Sequence, residues 1–150
     1  MHLPVTPQVE LTRETDESND ATSAWDFRRL ITVGSNMLIR GEKSAATATV
    51  VALSADLSMP LVTWSAGSDV SLPTLGQGTV VLQDVDRLDL SAQRELLAWL
   101  DERGGRVRVI STARGDLFDL VTSGDFLDPL YYRLNTIVVD AAAMDGWAAQ

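Results

Sequence analysis

One stretch decides the fold of this 150-residue chain, Gly78–Asn135: GTVVLQDVDRLDLSAQRELLAWLDERGGRVRVISTARGDLFDLVTSGDFLDPLYYRLN. The runs TVVLQDV (79–85) and RVRVIST (106–112) are short and mostly apolar, which is typical of buried strands. Between them, LSAQRELLAWLDERGG predicts a helix that Ser91 caps and that ends at the glycine pair Gly104–Gly105. GDLFDLVTSG and DPLYYRLN predict two more short helices. Strands and helices therefore alternate along this stretch.

The same alternation continues on both sides of it. Three further apolar runs predict strands: NMLIR (36–40), PLVTW (60–64) and TIVVD (136–140). Two segments predict helices and one a loop rich in Gly, Ser and Pro: AWDFRRLITVG (24–34), SAATATVVALSADL (44–57) and residues 65–78. Because strands alternate with helices, we expect an α/β domain with a mainly parallel sheet and helices on both faces.

Residues 1–24 differ in composition from the rest of the chain. They contain five acidic residues and one arginine, and few large apolar groups follow Val9. Such a segment buries too little apolar surface to order itself. We expect an acidic flexible tail over 1–24, with at most one short strand or turn near QVEL, and a single domain over 25–150.

Composition excludes several classes of function. The net charge of -9 opposes direct binding to nucleic acid. The absence of cysteine excludes a disulfide scaffold and thiolate-held metals, and the single histidine, His2, excludes a histidine triad or a multi-histidine metal site. No signal peptide or long apolar run is present, so we expect a cytoplasmic protein without a membrane partner.

Ligands of parallel sheets bind beyond the carboxyl ends of the strands, and the loop after the strand at 36–40 is one such place. A phosphate-binding loop reads G-x-x-x-x-G-K-[ST]. Gly41 fits its start, but Ala46 and Thr47 stand where the second glycine and the lysine belong. Lys43 could still attract an anion there. On this segment alone, a strand–turn–helix without a ligand is the favoured interpretation.

Carboxylates follow the strand at 79–85. Such residues would suit magnesium and an activated water in a nucleotide hydrolase. Here Gln83, a neutral and poorer magnesium ligand, comes before Asp84. Asp84 and Asp86 could equally be loop residues before the next helix. A phosphoacceptor role for Asp84 is disfavoured because no paired acidic residues follow the first strand.

The succession of these pieces closely resembles the second half of the sigma-54 interaction domain, the AAA+ ATPase module of bacterial enhancer-binding transcription activators. The family pattern runs G-G-T-L-F-L-D-E-I, L-Q-x-x-L-L-R-x-L, V-R-x-I-A-T-[TS]-N-R-D-L and F-R-x-D-L-Y-Y-R-L-N. The similarity covers roughly Gly78–Val139, and a weaker, collinear match covers Asn36–Trp64. The resemblance implies a three-layer P-loop-NTPase-like fold, the AAA+ core, and nine positions of interest: Gly41, Glu42, Lys43, Ser44, Thr47, Gln83, Asp84, Arg114 and Arg133.

Several of these positions depart from the family pattern. The G-T-G-K residues read Ser-Ala-Ala-Thr over 44–47, and the Walker B aspartate and glutamate are Gln83 and Asp84. The sensor asparagine is Arg114. Of the two arginines in the last motif, one is Leu127 and the other survives as Arg133. The G-A-F-T-G-A loop is absent, and we expect no helical lid and no DNA-binding helix-turn-helix.

These departures predict a module without catalytic residues, metal site or required cofactor, which acts in transcription regulation or signalling. The partner would be an AAA+ or signalling protein, contacted around the arginine-finger-like Arg133. The alternative is a regulator that binds ATP and magnesium weakly at 41–49 and Asp84, with little or no hydrolysis. A third interpretation is a structural remnant without a ligand. Packing is the favoured role for Tyr131, Tyr132 and Arg133 themselves.

Overall fold

A computed structural model describes residues 9–11, 34–67 and 71–144. Six parallel strands form one sheet in the order β1-β6-β2-β5-β4-β3. The strands are β1 Val9–Leu11, β2 Met37–Arg40, β3 Leu61–Ser65, β4 Gly78–Gln83, β5 Val107–Ala113 and β6 Ile137–Asp140. The predicted parallel sheet is therefore confirmed.

Residues 1–34 are described only in part. The short strand that the sequence allows near QVEL is β1, and its Val9 lies opposite Ile137 of β6. The remainder of the predicted tail and the helix predicted over 24–34 lie outside the described residues, apart from Gly34. The boundary at residue 24 stays a prediction.

Within the described residues, four α-helices cover the sheet and three 3₁₀ turns accompany them. The helices are α1 Lys43–Leu53, α2 Leu90–Arg103, α3 Leu117–Ser123 and α4 Asp128–Leu134. The 3₁₀ turns are Ser54–Asp56, Val85–Arg87 and Ala141–Met144. The predicted helix over 44–57 thus ends as an α-helix at Leu53.

Alternation along the strands separates two apolar cores. On β2, Met37 and Ile39 pack on one face with Ala46 of α1, while Leu38 packs on the other face with Leu96 of α2. Side chains from α3 and α4 join the second core. The result is the predicted three-layer arrangement, with helices on both faces of the sheet.

The cap of α2 differs from the prediction. Asp89, not Ser91, is the N-cap, and its carboxylate accepts a hydrogen bond from the Ala92 N–H at 2.8 Å. The helix begins at Leu90, which places Ser91 inside the first turn. The end is as predicted, because Gly104 is the C-cap with φ of 58°.

Strand β4 is shorter than the predicted 79–85. It ends at Gln83 because Asp84 adopts a left-handed conformation, with φ of 60° and ψ of 46°, and a 3₁₀ turn follows. This conformation is uncommon for residues other than glycine. It turns the chain sharply at the carboxyl end of the sheet, where the candidate site lies.

A buried glutamine connects α2 to the segment before α4. The Gln93 amide donates to the carbonyls of Leu88 and Asp125, both at 2.9 Å, and its oxygen accepts from the Leu127 N–H at 2.8 Å. Gln93 is fully buried. Its hydrogen bonds hold the segment between α3 and α4 against α2.

None of the helices within 9–11, 34–67 and 71–144 is long and apolar enough to cross a bilayer.

Candidate functional site

The carboxyl ends of three neighbouring strands, β6, β2 and β5, border an open depression of about 550 Å³. It is lined by Arg40, Gly41, Arg114, Gly115, Asp116, Asp140, Ala142 and Ala143. This is the edge at which parallel sheets bind ligands. Of the nine predicted positions, only Gly41 and Arg114 line it.

Gly41 has a structural reason to be glycine. Its φ is 149°, and a Cβ built there would lie 2.9 Å from the Ala141 Cβ. Its N–H donates to the Ala113 carbonyl at 3.0 Å. Because the amide is already bonded and the space is filled, close packing against the turn after β6 explains this glycine without a phosphate.

The segment that aligns with the phosphate loop is wound into helix α1, which begins at Lys43. The Ala46 N–H donates to the Glu42 carbonyl at 2.8 Å, and Ala46 is buried in the core. Glu42, Ser44 and Thr47 are exposed to solvent. The helix therefore leaves only its first N–H groups without helical partners.

Lys43 and Asp84 form an ion pair across the end of the sheet. The Lys43 Nζ lies 3.6 Å from the Asp84 Oδ2, and the two side chains are 59% and 11% exposed. The Asp84 N–H donates to the Thr112 hydroxyl at 3.0 Å. The structure thus joins two predicted residues, although the lysine is well solvated and contributes little to stability.

Gln83 is turned toward the edge strand. Its Oε1 accepts a hydrogen bond from the Ser65 hydroxyl at 2.8 Å, and its carbonyl accepts from the Ala66 N–H at 3.0 Å. Gln83 therefore links the ends of β4 and β3. Across the described ranges, no group of three or more acidic, histidine or cysteine side chains is placed to hold a metal ion.

Arg114 lies at the mouth of the depression. Its backbone N–H donates a hydrogen bond to the Asp86 Oδ2 at 3.4 Å. Across the depression, Arg40 and Asp140 form an ion pair in which the Arg40 Nε lies 3.1 Å from the Asp140 Oδ1. The two arginines and the acidic groups Asp116 and Asp140 leave the lining close to electrically neutral.

Arg133 is far from this edge in the topology of the fold. Its guanidinium pairs with Asp101 of α2, and its carbonyl accepts from the Asn36 side chain at 3.0 Å. Asn36 precedes β2, so it lies at the amino end of the sheet. The structure therefore does not bring Arg133 together with the other predicted residues.

The amino end of the sheet carries a second polar network. The Asn36 Oδ1 accepts from the Val109 N–H at 2.9 Å, and the Arg108 Nε donates to the Ser35 carbonyl at 2.8 Å. Burial lowers the pKa of Arg108 below its ordinary value. These hydrogen bonds hold the chain entering β2 against β5.

Sequence reasoning missed two acidic residues that shape these sites, Asp140 and Asp101, and it named Asp86 without its hydrogen bond from the Arg114 backbone N–H. Asp140 had a detectable signal, since it ends an apolar strand just as Gln83 does. Asp101 lies on the polar face of a helix, where nothing local distinguishes it from its neighbours. Its pairing with Arg133 depends on a contact between α2 and α4.

The sequence matches the profile of the family described as the Sigma-54 interaction domain over residues 30–144, more than half of the chain. Among curated relatives, the nitrogen fixation protein VnfA of Azotobacter vinelandii is 36% identical over 73 residues, covering 41% of this chain and 14% of that protein. The transcriptional regulatory protein FlbD of Caulobacter vibrioides is 32% identical over 71 residues, covering 40% and 16%. The match spans less than a fifth of either relative.

Solved structures show the same fold. NtrX from Brucella abortus in complex with ADP superposes with a TM-score of 0.66 at 22% identity, covering 89% of this chain and 38% of that one. The P-loop NTPase domain of the sigma-54 transport activator from E. coli gives 0.58 at 16% identity, covering 83% and 96%. The sequence profile and the shared fold agree, and the chain belongs to the sigma-54 interaction domain family.

Proposed function

We propose that this chain is a non-catalytic regulatory module of the sigma-54 interaction domain type, working in bacterial transcription regulation or signalling in the cytoplasm. Its relatives are AAA+ activators of the ATPase type. In this proposal the module keeps the core fold and acts through protein contacts, without hydrolysing ATP.

The observation that carries the proposal is the helical conformation of residues 43–47. They form the start of α1, and Thr47, which stands at the position of the phosphate-binding lysine, is exposed on the helix. A phosphate-cradling loop needs free backbone N–H groups that converge on the anion. From Ala46 onward these groups are used within the helix.

The carboxylate side of the site supports the same conclusion. Gln83 is neutral and bonded to Ser65, and Asp84 faces the Lys43 ammonium. A lysine beside the remaining carboxylate competes with a divalent cation for it. Metal clamping and an arginine finger both assist phosphoryl transfer, and the arginine finger alone contributes a rate factor of roughly 10³–10⁵. Without them, little catalysis would remain.

The proposal also includes contact with a partner, which is an AAA+ or signalling protein. Arg133 is the arginine-finger-like position, and its side chain is 36% exposed while paired with Asp101. A partner that uses Arg133 would have to displace Asp101. A pull-down that compares wild type with Arg133→Ala tests this contact. We expect the alanine variant to capture less of the partner.

A second candidate is a regulator that binds nucleotide weakly. The depression beside Gly41 favours it, because Arg40 and Arg114 both line a volume of about 550 Å³ at the carboxyl edge. Two solved structures of similar fold are of NtrX in complex with ADP and with ATP. The Arg40–Asp140 ion pair opposes this function, since it already neutralises one of the arginines.

Thermal unfolding with ATP and magnesium separates the two candidates. A ligand that binds only the folded state at 100 times its Kd stabilises it by about 2.7 kcal/mol. We expect the melting temperature to stay constant up to millimolar ATP, with Arg114→Ala as a matched variant. A concentration-dependent rise that Arg114→Ala abolishes would establish the weakly binding regulator instead.

A further inference from the structure

Four large apolar side chains are well exposed among the described residues, and two of them lie together. Phe118 on α3 is 50% exposed and Tyr132 on α4 is 45% exposed. Both rings contact the buried ring of Tyr131, with centroid distances of 6.0 Å and 5.3 Å. We call these three residues the aromatic row.

The buried ring of Tyr131 holds the aromatic row in place. Tyr131 is only 9% exposed and belongs to the core shared by α2, α3 and α4. Its ring meets Phe118 at 53° and Tyr132 at 71°, the tilted and edge-on geometries that aromatic pairs prefer. Because the buried ring fixes its two neighbours, a partner would lose little entropy in ordering them.

The segment that carries the aromatic row is acidic between its two flanking arginines, Arg114 and Arg133. Between Arg114 and Arg133 the chain has no lysine or arginine and four exposed aspartates: Asp116, Asp119, Asp125 and Asp128. Asp128 is four residues before Tyr132 on α4, so the two share a helix face. Asp119 directly follows Phe118 on α3. The two half-exposed rings therefore lie on a segment with four exposed aspartates.

We propose that the aromatic row is a docking surface for a cationic protein segment. Arginine or lysine side chains of the partner stack on the faces of Phe118 and Tyr132 and pair with Asp119 and Asp128. The charge of this surface repels nucleic acid and anionic membranes alike. The proposal rests on the proposed interaction role and gives it a location and a partner chemistry.

The other two exposed apolar side chains supply matched controls. Val51 is 65% exposed on α1, which covers the opposite face of the sheet, and Met59 is 71% exposed in the loop before β3. Neither residue is aromatic, and neither takes part in the ring contacts that define the aromatic row. Removing them changes exposed apolar surface without touching the aromatic row.

Fluorescence anisotropy tests the proposal with a defined probe. The probe is a labelled amphipathic peptide of arginine and leucine, compared with one that carries glutamate in place of every arginine, at about 0.15 M salt. We expect wild type to bind only the arginine peptide. Phe118→Ser with Tyr132→Ser should weaken that binding about tenfold or more, whereas Val51→Ser with Met59→Ser should leave it unchanged.

Charge is tested separately with variants that remove one acidic group each. Asp119→Asn should weaken binding more than Asp56→Asn, since Asp56 is exposed in the 3₁₀ turn after α1. Circular dichroism checks folding, and Phe118→Leu with Tyr132→Leu replaces the serine pair if that pair unfolds. The leucine pair should also weaken binding, because leucine offers no ring to a cation.

Unchanged affinity in a folded aromatic variant would overturn the proposal, as would an equal loss in the Val51 and Met59 control. Unchanged affinity would mean that the peptide senses only the overall negative charge, and an equal loss in the control would mean that it binds exposed apolar side chains in general. ATP hydrolysis by the protein would contradict the proposed function and leave the peptide result standing. A flat nucleotide response with no aromatic dependence would contradict the docking surface alone.

Discussion

Two glycines of this chain are explained by the space around them. Gly41 lies against Ala141, and Gly78, at the start of β4, lies against Pro60. A Cβ at Gly78 would approach the Pro60 carbonyl oxygen to 2.4 Å, and its φ is 114°. Both glycines match the family pattern, yet both have packing reasons that do not involve a ligand. At the residue scale, packing therefore accounts for both of these glycines.

Gly78→Ala should therefore destabilise the protein by about 1–3 kcal/mol, because the new methyl group must displace backbone and the residue must adopt a strained φ. Urea denaturation measures the change in the free energy of unfolding. Gly105→Ala is the matched control, since nothing lies within 4 Å of a Cβ there. Equal stability of the two variants would contradict this interpretation of Gly78.

The sequence does not predict the ion pairs described above. Lys43 meets Asp84, Arg40 meets Asp140 and Arg133 meets Asp101 only after the strands and helices have assembled. Each pair joins distant parts of the chain. Local patterns carry no information on such contacts, so the sequence indicates the titratable residues and not their partners.

At the scale of elements, the apolar runs predict most of the structure. Strands β2 to β6 and helices α1 to α4 lie where the runs and turn residues indicate. The main errors are at boundaries: the cap of α2 and the end of β4. Asp89 and Ser91 are both good capping residues, and the structure places Asp89 before the first turn.

Asp89→Ala should cost about 1 kcal/mol of stability, the usual value for an N-cap. The loss follows because the Ala92 N–H would lose its side-chain acceptor. Ser91→Ala is the control and should change the free energy of unfolding by less than about 0.5 kcal/mol, as surface substitutions usually do. A larger loss in Ser91→Ala than in Asp89→Ala would show that the helix begins later.

At the scale of the whole molecule, the chain keeps the AAA+ core sheet, and ion pairs such as Lys43–Asp84 and Arg40–Asp140 lie at its carboxyl edge. The family match over residues 30–144 and the superposition on solved structures support the same fold. The tyrosine pair in DPLYYRLN builds the core and the aromatic row, not a site beside Gly41. In the proposed function, the positions that the family pattern assigns to catalysis serve here for packing and for contact with a protein partner.

The most direct test of that claim is steady-state phosphate release from ATP with magnesium by the purified chain. We predict a rate indistinguishable from that of a buffer blank and unchanged in Asp84→Ala, because Gln83 is hydrogen-bonded to Ser65 and Lys43 competes with a metal ion for Asp84. The Asp84→Ala variant also controls for a contaminating ATPase. Phosphate release above the blank that is lost in a folded Asp84→Ala variant would contradict the non-catalytic module.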